Sequence, residues 1–225
     1  MLTADRILYE DNHLLIVNKL AGEIVQGDKT GDTPLLEAVK AYIKEKYQKP
    51  GNVFCGLVHR IDRPVSGAVI FAKTSKALAR LNEIVKERKI NKIYWALVEG
   101  KPLVEEDRLI DYLYRQERNN KTYVSAIEKT GYVRAELSYK TLQHYTHYSL
   151  LEVSLYTGRH HQIRAQLSAH GMVIKGDLKY GARRSNQDGS ISLHARKIEF
   201  NHPVTKELIS VTAPLSGEMQ KIIAL

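Results

Sequence analysis

The sequence predicts an α+β fold in which helices flank a mixed, mainly antiparallel sheet. Predicted strands outnumber predicted helices, and short local turns join most of them, which favours antiparallel pairing. The chain has 225 residues, of which 43% are hydrophobic and 26% charged, enough to bury a core and outside the range of disordered chains. No internal repeat or low-complexity linker divides it, so we expect a single domain over residues 1–225.

The first predicted elements are a hairpin and a helix. Ile7–Asn18 contains two short apolar stretches on either side of Asp11-Asn12, a pair typical of tight turns. Thr33 is the expected N-cap of the helix, with Pro34 at its first position and Lys49-Pro50-Gly51 beyond its end. Its apolar stripe consists of Leu35, Leu36, Val39, Tyr42 and Ile43.

Two more helices follow from apolar spacing. The second runs from about Ser75 to about Arg88, and its apolar face contains Leu78, Leu81 and Val85. The third covers roughly His160–Ala169 and ends at Gly171, the residue type that favours a left-handed helix cap.

The strands are predicted from alternation and from flanking turns. Ala68–Ala72 is expected to be a buried strand. Ile93–Val98 is also expected to be a strand, with successive side chains on opposite faces. Two hairpins are expected, one around the polar turn His144–His147 and one around Asn201-His202-Pro203. Their strands are Ala135–Leu142 with Ser149–Tyr156, and Lys197–Phe200 with Leu208–Thr212.

Composition excludes several classes of protein. The single cysteine, Cys55, excludes a disulfide framework and a cysteine-based zinc site. Apolar runs such as Ala68–Ala72 are too short to cross a bilayer, and the first residues lack a signal-peptide core. No glycine-rich nucleotide-binding loop is present. We therefore expect a cytoplasmic protein.

Positive charge is concentrated in one segment. The chain carries 34 Lys and Arg against 25 Asp and Glu, a net charge of +9. Gly158–Lys197 holds eight Lys and Arg against two acidic residues, a net of +6, interleaved with histidines and Tyr180. This pattern favours a polyanionic partner, nucleic acid first. A solvated basic surface without a partner is an equally good interpretation of the charge alone.

The segment Gly56–Thr74 contains a candidate catalytic carboxylate. Asp62 lies between Arg60 and Arg63, and in an extended chain the side chains of Arg60 and Asp62 project to the same side. Pro64 prevents a helix from continuing through this turn. A carboxylate among guanidiniums stays ionised, and can act as a nucleophile or a base. The alternative is a surface ion pair, which is common and contributes little.

Two other segments carry candidate binding residues. Arg159 and Arg164, in Leu155–Leu167, can pair with a carboxylate or a phosphate, or can simply lie on a helix surface. The adjacent His160 and His161 point apart on a helix and lack metal-binding spacing, so no metal site is expected. Tyr94 lies on a strand, where it can stack on a nucleobase or pack in the core.

The order of these segments resembles the RluA-type family of pseudouridine synthases. The motifs that carry the resemblance are, in order, ILYEDNHLLIVNKLAG, HRIDRPVSG, KIYWALVEG, TGRHHQIRAQL, GDLKYG and LHARKIEF. The resemblance extends from about Ile7 to Pro214, nearly the whole chain.

The resemblance implies an enzyme that flips a uridine out of structured rRNA or tRNA and isomerises it to pseudouridine. It implies the pseudouridine synthase catalytic fold with a central basic cleft, and neither a cofactor nor a metal. Asp62 matches the catalytic aspartate, Arg60 the arginine that displaces the target base, and Tyr94 the tyrosine that stacks on the uracil. Arg164 matches the arginine that pairs with the catalytic aspartate. Leu193 matches an apolar residue of the uracil pocket.

Some features depart from the family pattern. Leu20 replaces the usual proline of KPAG, Ile61 replaces the leucine of HRLD, and Gln166 stands where a histidine is usual. Only six residues precede Ile7, so we expect no N-terminal S4 domain of the kind that many relatives carry. We also expect a monomer.

Two other functions remain open at this stage. A noncatalytic RNA-binding module could use the same fold, although Asp62, Tyr94 and Arg164 are all present. A glycosidase or base glycosylase typically needs two carboxylates around the bond, and the matched motifs supply Asp62 alone as a central acid.

Overall fold

The computed structural model describes residues 2–28 and 31–224. The helices are α1 Leu35–Lys46, α2 Ser75–Lys86, α3 Gln162–Ala169 and α4 Gly217–Ile223, with short 3₁₀ helices at Ala4–Arg6 and Leu178–Tyr180. The strands are β1 Ile7–Glu10, β2 Leu14–Lys19, β3 Gly56–Leu57, β4 Ser66–Ala72, β5 Asn91–Glu99, β6 Glu106–Gln116, β7 Lys121–Ser125, β8 Val133–His144, β9 Tyr148–Leu155, β10 Leu193–Asn201 and β11 Leu208–Thr212.

The chain forms two compact units. One contains the residues up to Ile90 together with Ala195–Leu215, and the other contains Asn91–His194 together with the residues from Ser216 onward. The predicted α+β class, with a mixed, mainly antiparallel sheet and flanking helices, is confirmed.

The first unit places β4 at the centre of its strands. Its strand order is β1-β2-β4-β10, with β3 pairing β4 and β11 pairing β10. The antiparallel register of β2 and β4 runs from Leu14 opposite Ala72 to Lys19 opposite Gly67. One apolar cluster joins these strands to α2, and it includes Leu14, Ile16, Ile70, Leu81, Ile198 and Phe200.

The second unit has the strand order β5-β9-β8-β6-β7, with antiparallel pairing throughout. Helix α3 contacts β6 and β7. All six residues from Gln162 to Leu167 are buried. Because this helix is buried nearly all round, its polar side chains must find partners inside the unit.

The N-terminal predictions hold with one correction. Asp11 forms the turn between β1 and β2, where its Oδ1 accepts the N–H groups of His13 (2.7 Å) and Leu14 (2.8 Å). The predicted N-cap of α1, Thr33, is wrong, since Pro34 occupies the cap position and makes no side-chain hydrogen bond. The first helical N–H groups instead donate to the carbonyls of Ile24 (2.8 Å) and Val25, so a neighbouring segment replaces the side-chain cap.

The other helices form where the apolar spacing predicts them, but they are shorter. Helix α2 ends at Lys86, two residues before the predicted end, and Thr74 caps its start by accepting the Ala77 N–H. Helix α3 begins two residues late because His161 adopts a left-handed conformation with a φ of 50°. Gly171 follows α3 with a φ of 79°, as expected for its cap.

Four of the numbered elements were not expected from the sequence: β3, β6, β7 and α4. In β6 the buried positions alternate as Leu109, Asp111 and Leu113. The carboxylate of Asp111 interrupts what would otherwise be a clear apolar alternation. Tertiary contacts, which no local pattern contains, satisfy this carboxylate. No helix among the residues that the structure describes is long and apolar enough to cross a bilayer.

The second residue of β4, Gly67, provides a test of close packing within the first unit. Gly67 has a φ of 115°, and a Cβ there would overlap the backbone of Ala195. Gly67→Ala should therefore lower the free energy of unfolding by about 3 kcal/mol, combining backbone strain with steric overlap. Chemical denaturation measures the loss.

The matched control for that substitution is Gly100→Ala. Gly100 also has a positive φ, 73°, but a Cβ there meets no atom within 4 Å. It should cost only about 1 kcal/mol. Equal losses for the two variants would contradict the close approach of Gly67 to Ala195.

Candidate active site

Asp62 lies in the loop that connects β3 to β4. Ile61 is buried, whereas Arg60 is exposed and Asp62 is partly buried, as expected where an extended backbone alternates its side chains. The Asp62 carbonyl accepts the Val65 N–H (3.0 Å), which closes a four-residue turn with Arg63 and Pro64 at its centre. The turn therefore follows Asp62 directly.

The buried ammonium group of Lys19 holds this turn. Lys19 ends β2 and is 0% exposed. Its Nζ donates to the carbonyl oxygens of Leu20 (2.9 Å), Arg63 (3.0 Å) and Val65 (2.7 Å). The Gly22 N–H also donates to the Arg63 carbonyl, at 2.8 Å. The turn after Asp62 is therefore tied to the end of β2 by three hydrogen bonds.

Burial changes the proton affinity of Lys19. It lowers the pKa of Lys19 to about 7, although the negative charges of Glu23 and Asp62 act in the opposite direction. Three carbonyl acceptors require three N–H groups, which only the protonated amine provides. These hydrogen bonds therefore favour the ammonium form and oppose the effect of burial.

Other contacts anchor the same loop. His59 accepts the Ile70 N–H through Nε2 at 3.2 Å, which attaches the start of the loop to β4. Arg63 pairs with Asp32 at 2.7 Å, and both side chains are about half exposed. Arg63, one of the two arginines that flank Asp62, thus forms its ion pair with the carboxylate of Asp32.

In the second unit, Arg164 forms a buried ion pair that the sequence analysis did not identify. Its Nε lies 2.7 Å from Oδ2 of Asp177, and its Nη2 lies 2.9 Å from Oδ1. Arg164 is 5% exposed and Asp177 is 1% exposed. This two-pronged geometry fixes the plane of the guanidinium group.

Tyr180 supports the Arg164 side chain. The guanidinium carbon of Arg164 lies 5.1 Å from the centre of the Tyr180 ring. The Tyr180 hydroxyl accepts the Thr122 N–H (2.8 Å) and lies 2.9 Å from Nδ1 of His161. Burial, followed by the charges of Arg164 and His160, lowers the pKa of His161 to about 2. A neutral His161 can accept the hydroxyl proton of Tyr180.

Tyr94 and Leu193 also belong to the second unit, and both side chains are buried. Tyr94 lies in β5 opposite Val153 of β9, and Leu193 begins β10. Arg60 and Asp62 belong to the first unit, whereas Tyr94, Arg164 and Leu193 belong to the second.

Gln166, which stands where the family usually has a histidine, has a structural role here. It is fully buried, and its Nε2 donates to Oδ2 of Asp111 at 2.7 Å. His170 lies 3.1 Å from the same carboxylate oxygen. Gln166 thus helps to satisfy the carboxylate that β6 places inside the unit, which ties α3 to β6.

The roles of three residues were not predicted from the sequence: Lys19 in the first unit, and Asp177 and Tyr180 in the second. All three lie in the matched motifs NKLAG and GDLKYG, so the signal was present although no role was assigned to them. Among the described residues, no group of three or more His, Cys, Asp or Glu side chains is placed to hold a metal ion.

Replacing Lys19 with methionine should destabilise the protein. Lys19→Met removes the common donor of three carbonyl groups, of which only that of Arg63 keeps another donor within the described residues, the Gly22 N–H. A loss of about 2–4 kcal/mol at neutral pH is expected. Lys40→Met is the control. It removes an amine paired with Glu37 on the surface of α1 and should cost less than about 0.5 kcal/mol.

The pH dependence of this difference provides a second test. The pKa of Lys19 is about 7 in the folded chain, whereas an ordinary lysine side chain has a pKa of 10.5. Between these two pH values, the unfolded state binds more protons than the folded state does. Wild-type stability should therefore rise relative to Lys19→Met from about pH 7 to about pH 9. Denaturation across this range measures the slope. A constant difference would show that the pKa of Lys19 is not depressed.

The pair formed by Arg164 and Asp177 should show strong energetic coupling. A double-mutant cycle with Arg164→Met and Asp177→Asn should give about 3 kcal/mol or more, because each single variant removes one partner of a buried, two-pronged ion pair. The comparison cycle uses Lys140 and Glu152, a surface pair 3.0 Å apart in which Lys140 is exposed and Glu152 is partly buried, and for which less than about 1 kcal/mol is expected. Equal coupling in the two cycles would contradict the buried pair.

Comparison with known proteins agrees with the resemblance seen in the sequence. The family described as RNA pseudouridylate synthase matches residues 13–169. Ribosomal large subunit pseudouridine synthase C of Vibrio vulnificus is 33% identical over 97% of this chain and 68% of its own length. The uncharacterized RNA pseudouridine synthase YhcT of Bacillus subtilis is 34% identical over 96% of this chain and 70% of its own length.

A solved structure shows the same fold. Human RNA Pseudouridylate Synthase Domain Containing 4 superposes with a TM-score of 0.81 over 98% of this chain and 92% of the human chain, at 20% identity. The sequence relatives, the matched family and this fold agree. The chain therefore belongs to the RNA pseudouridylate synthase family.

Proposed function

We propose that this RNA pseudouridine synthase modifies uridine in large-subunit ribosomal RNA, with Asp62 as its catalytic residue. The isomerisation breaks the C1′–N1 bond, turns the uracil and joins C5 to C1′, while the proton on C5 is replaced by one on N1. The reaction is redox-neutral and releases no fragment. It therefore needs groups that stabilise charge and move a proton, which protein side chains supply.

The observation that carries the proposal is the fixed turn that follows Asp62. Two hydrogen bonds from the buried Lys19, to the carbonyls of Arg63 and Val65, and one from the Gly22 N–H hold its backbone. A carboxylate that acts at C1′ must be held in place before the substrate arrives, since orientation provides much of the rate enhancement of an enzyme. Asp62 is only partly buried, so part of this residue is accessible from solvent.

The remaining site residues have roles in binding the nucleotide. A uridine must leave its stack before a carboxylate can reach C1′, at a cost of a few kcal/mol. Arg60, which is exposed, can displace the base and interact with the RNA. Tyr94 can stack on the uracil, and Leu193 supplies an apolar surface for it. The pairing of Arg164 with Asp62, which the resemblance implies, stays a prediction.

Ribosomal RNA is the favoured substrate because several relatives bear the name of a ribosomal large subunit synthase. Transfer RNA is the alternative. Pseudouridine mapping in a strain lacking this protein, compared with wild type, distinguishes the two. A missing modification in large-subunit rRNA supports the proposal, and a missing modification confined to tRNA overturns it. A ribosomal substrate also agrees with the expected cytoplasmic location.

Asp62→Asn should abolish turnover while leaving the fold intact. The amide keeps the size of the side chain but lacks the negative charge and the nucleophilic oxygen. The free energy of unfolding and the RNA affinity should change by less than about 1 kcal/mol. The measurement is tritium release from RNA labelled at C5 of uridine, together with a thermal melt and a binding titration.

The control is Asp32→Asn, which removes an exposed carboxylate paired with Arg63 beside the same loop. It should retain most of the activity. Tritium release by folded Asp62→Asn at a tenth of the wild-type rate or more would assign the chemistry to another residue. Release of free uracil by the wild-type enzyme would instead indicate a base glycosylase.

A further inference from the structure

Most of the cations in the basic segment Gly158–Lys197 are engaged within the protein. Three pair with carboxylates, namely Arg164 with Asp177, Lys175 with Glu218 and Lys197 with Glu199. Three others donate to backbone carbonyls: Arg159, Lys179 and Arg196. Only Arg183 and Arg184 are left, and their exposed side chains have no ion-pair partner within residues 2–28 and 31–224.

These two arginines line a large groove of the second unit, which we call the arginine groove. Its volume is about 1050 Å³. Its charged lining consists of Lys175, Arg183, Arg184 and Lys221 against Glu99 and Glu218. None of the residues assigned above to catalysis or uracil binding lines it.

Of the two carboxylates of the arginine groove, that of Glu218 pairs with a lysine of the groove and that of Glu99 accepts a backbone N–H. Glu218 lies 2.8 Å from the Lys175 Nζ and also accepts the Gln187 N–H. Glu99 accepts the backbone N–H of Arg183 at 3.3 Å. Lys221 is exposed, and it has no ion-pair partner in the part of the chain that the structure describes. Three cations of the groove are thus available to an anion from outside.

The segment that carries the arginines is held at both ends. On one side, Ala182 is buried and its N–H donates to the Asp177 carbonyl at 3.0 Å. On the other side, the buried Asn186 contacts the Lys175 amine and donates to Ser190 at 3.1 Å. The backbone of Arg183 and Arg184 is therefore ordered before a ligand arrives, which lowers the entropic cost of binding.

We propose that the arginine groove is an accessory site for the phosphodiester backbone of the RNA substrate. Guanidinium groups bind phosphate oxygens in a two-pronged geometry, and adjacent arginines suit successive phosphates of a chain. The volume lies slightly above the range of small-ligand pockets, and the charged lining suits a polyanionic segment better than a single apolar ligand. The inference rests on RNA being the substrate of this enzyme.

The first experiment compares wild type with the double variant Arg183→Ala/Arg184→Ala. The affinity for substrate RNA should fall by about 25-fold at 100 mM salt. Each phosphate contact contributes about 0.7 to the slope of log affinity against log salt, so the loss of two contacts lowers log affinity by about 1.4 at this salt concentration. The slope of log affinity against log salt should become shallower by about 1.4. KM should rise in parallel. An unchanged affinity and slope would overturn the proposal.

The matched control is Lys76→Ala/Arg80→Ala, which removes two exposed cations from α2. It changes the net charge equally, so its affinity should fall by less than about threefold. An equal loss of RNA affinity in both double variants would mean that net charge alone is responsible. It would overturn the proposal that the arginine groove is a specific site. Arg183→Lys/Arg184→Lys should recover only part of the affinity, because lysine lacks the planar two-pronged geometry.

Shortening the RNA around the target uridine identifies the site as accessory. The penalty of Arg183→Ala/Arg184→Ala should disappear with the shortest RNA that wild type still modifies, since the distal phosphates are gone. A penalty that persists on this RNA would assign the arginines to the uridine site and overturn an accessory role. Tritium release by wild type tests the isomerase activity separately, so failure of the groove and failure of the proposed function give different results.

Discussion

The buried ammonium of Lys19 is the interaction on which the candidate catalytic loop depends. Backbone carbonyls in a tight turn cannot all be satisfied by neighbouring N–H groups, and burying them without partners is costly. Lys19 supplies three hydrogen bonds from one atom, including those to Arg63 and Val65, which lie 44 and 46 positions away in the chain. Burial removes water from the Lys19 amine, which disfavours its charged form and lowers the pKa of Lys19.

The second unit uses a buried charge in a related way. Asp177 aligns Arg164 through two hydrogen bonds, and the Tyr180 ring packs against the guanidinium group. Such a pair contributes little net stability relative to an apolar core, but it restricts the orientation of its side chains. In both units, therefore, a buried charged group fixes the position of a residue that the family resemblance assigns to the reaction.

Part of this arrangement was predictable from the sequence. The turn at Asp11 and the helix that follows Thr74 formed as local chemistry predicts, because their determinants lie within a few residues of one another. The strand β6 was not predictable, since Asp111 occupies a core position and is satisfied by Gln166, 55 residues away. The partners of Lys19 and Arg164 were missed for the same reason. Local sequence patterns predict turns and helix caps, whereas hydrogen-bond acceptors that lie far away in the sequence are identified only in the folded chain.

The same distinction applies to the positive charge. The net charge calculated from composition gives every lysine and arginine the same weight, whether or not it has a partner in the folded chain. In Gly158–Lys197 it therefore suggests a broad basic surface. In the folded chain, carboxylates neutralise three of these eight cations and backbone carbonyls engage three more. A cation that already has a carboxylate partner gains less from a phosphate, because that partner must be given up. The net charge of the segment therefore overstates the number of cations that are free of a carboxylate partner.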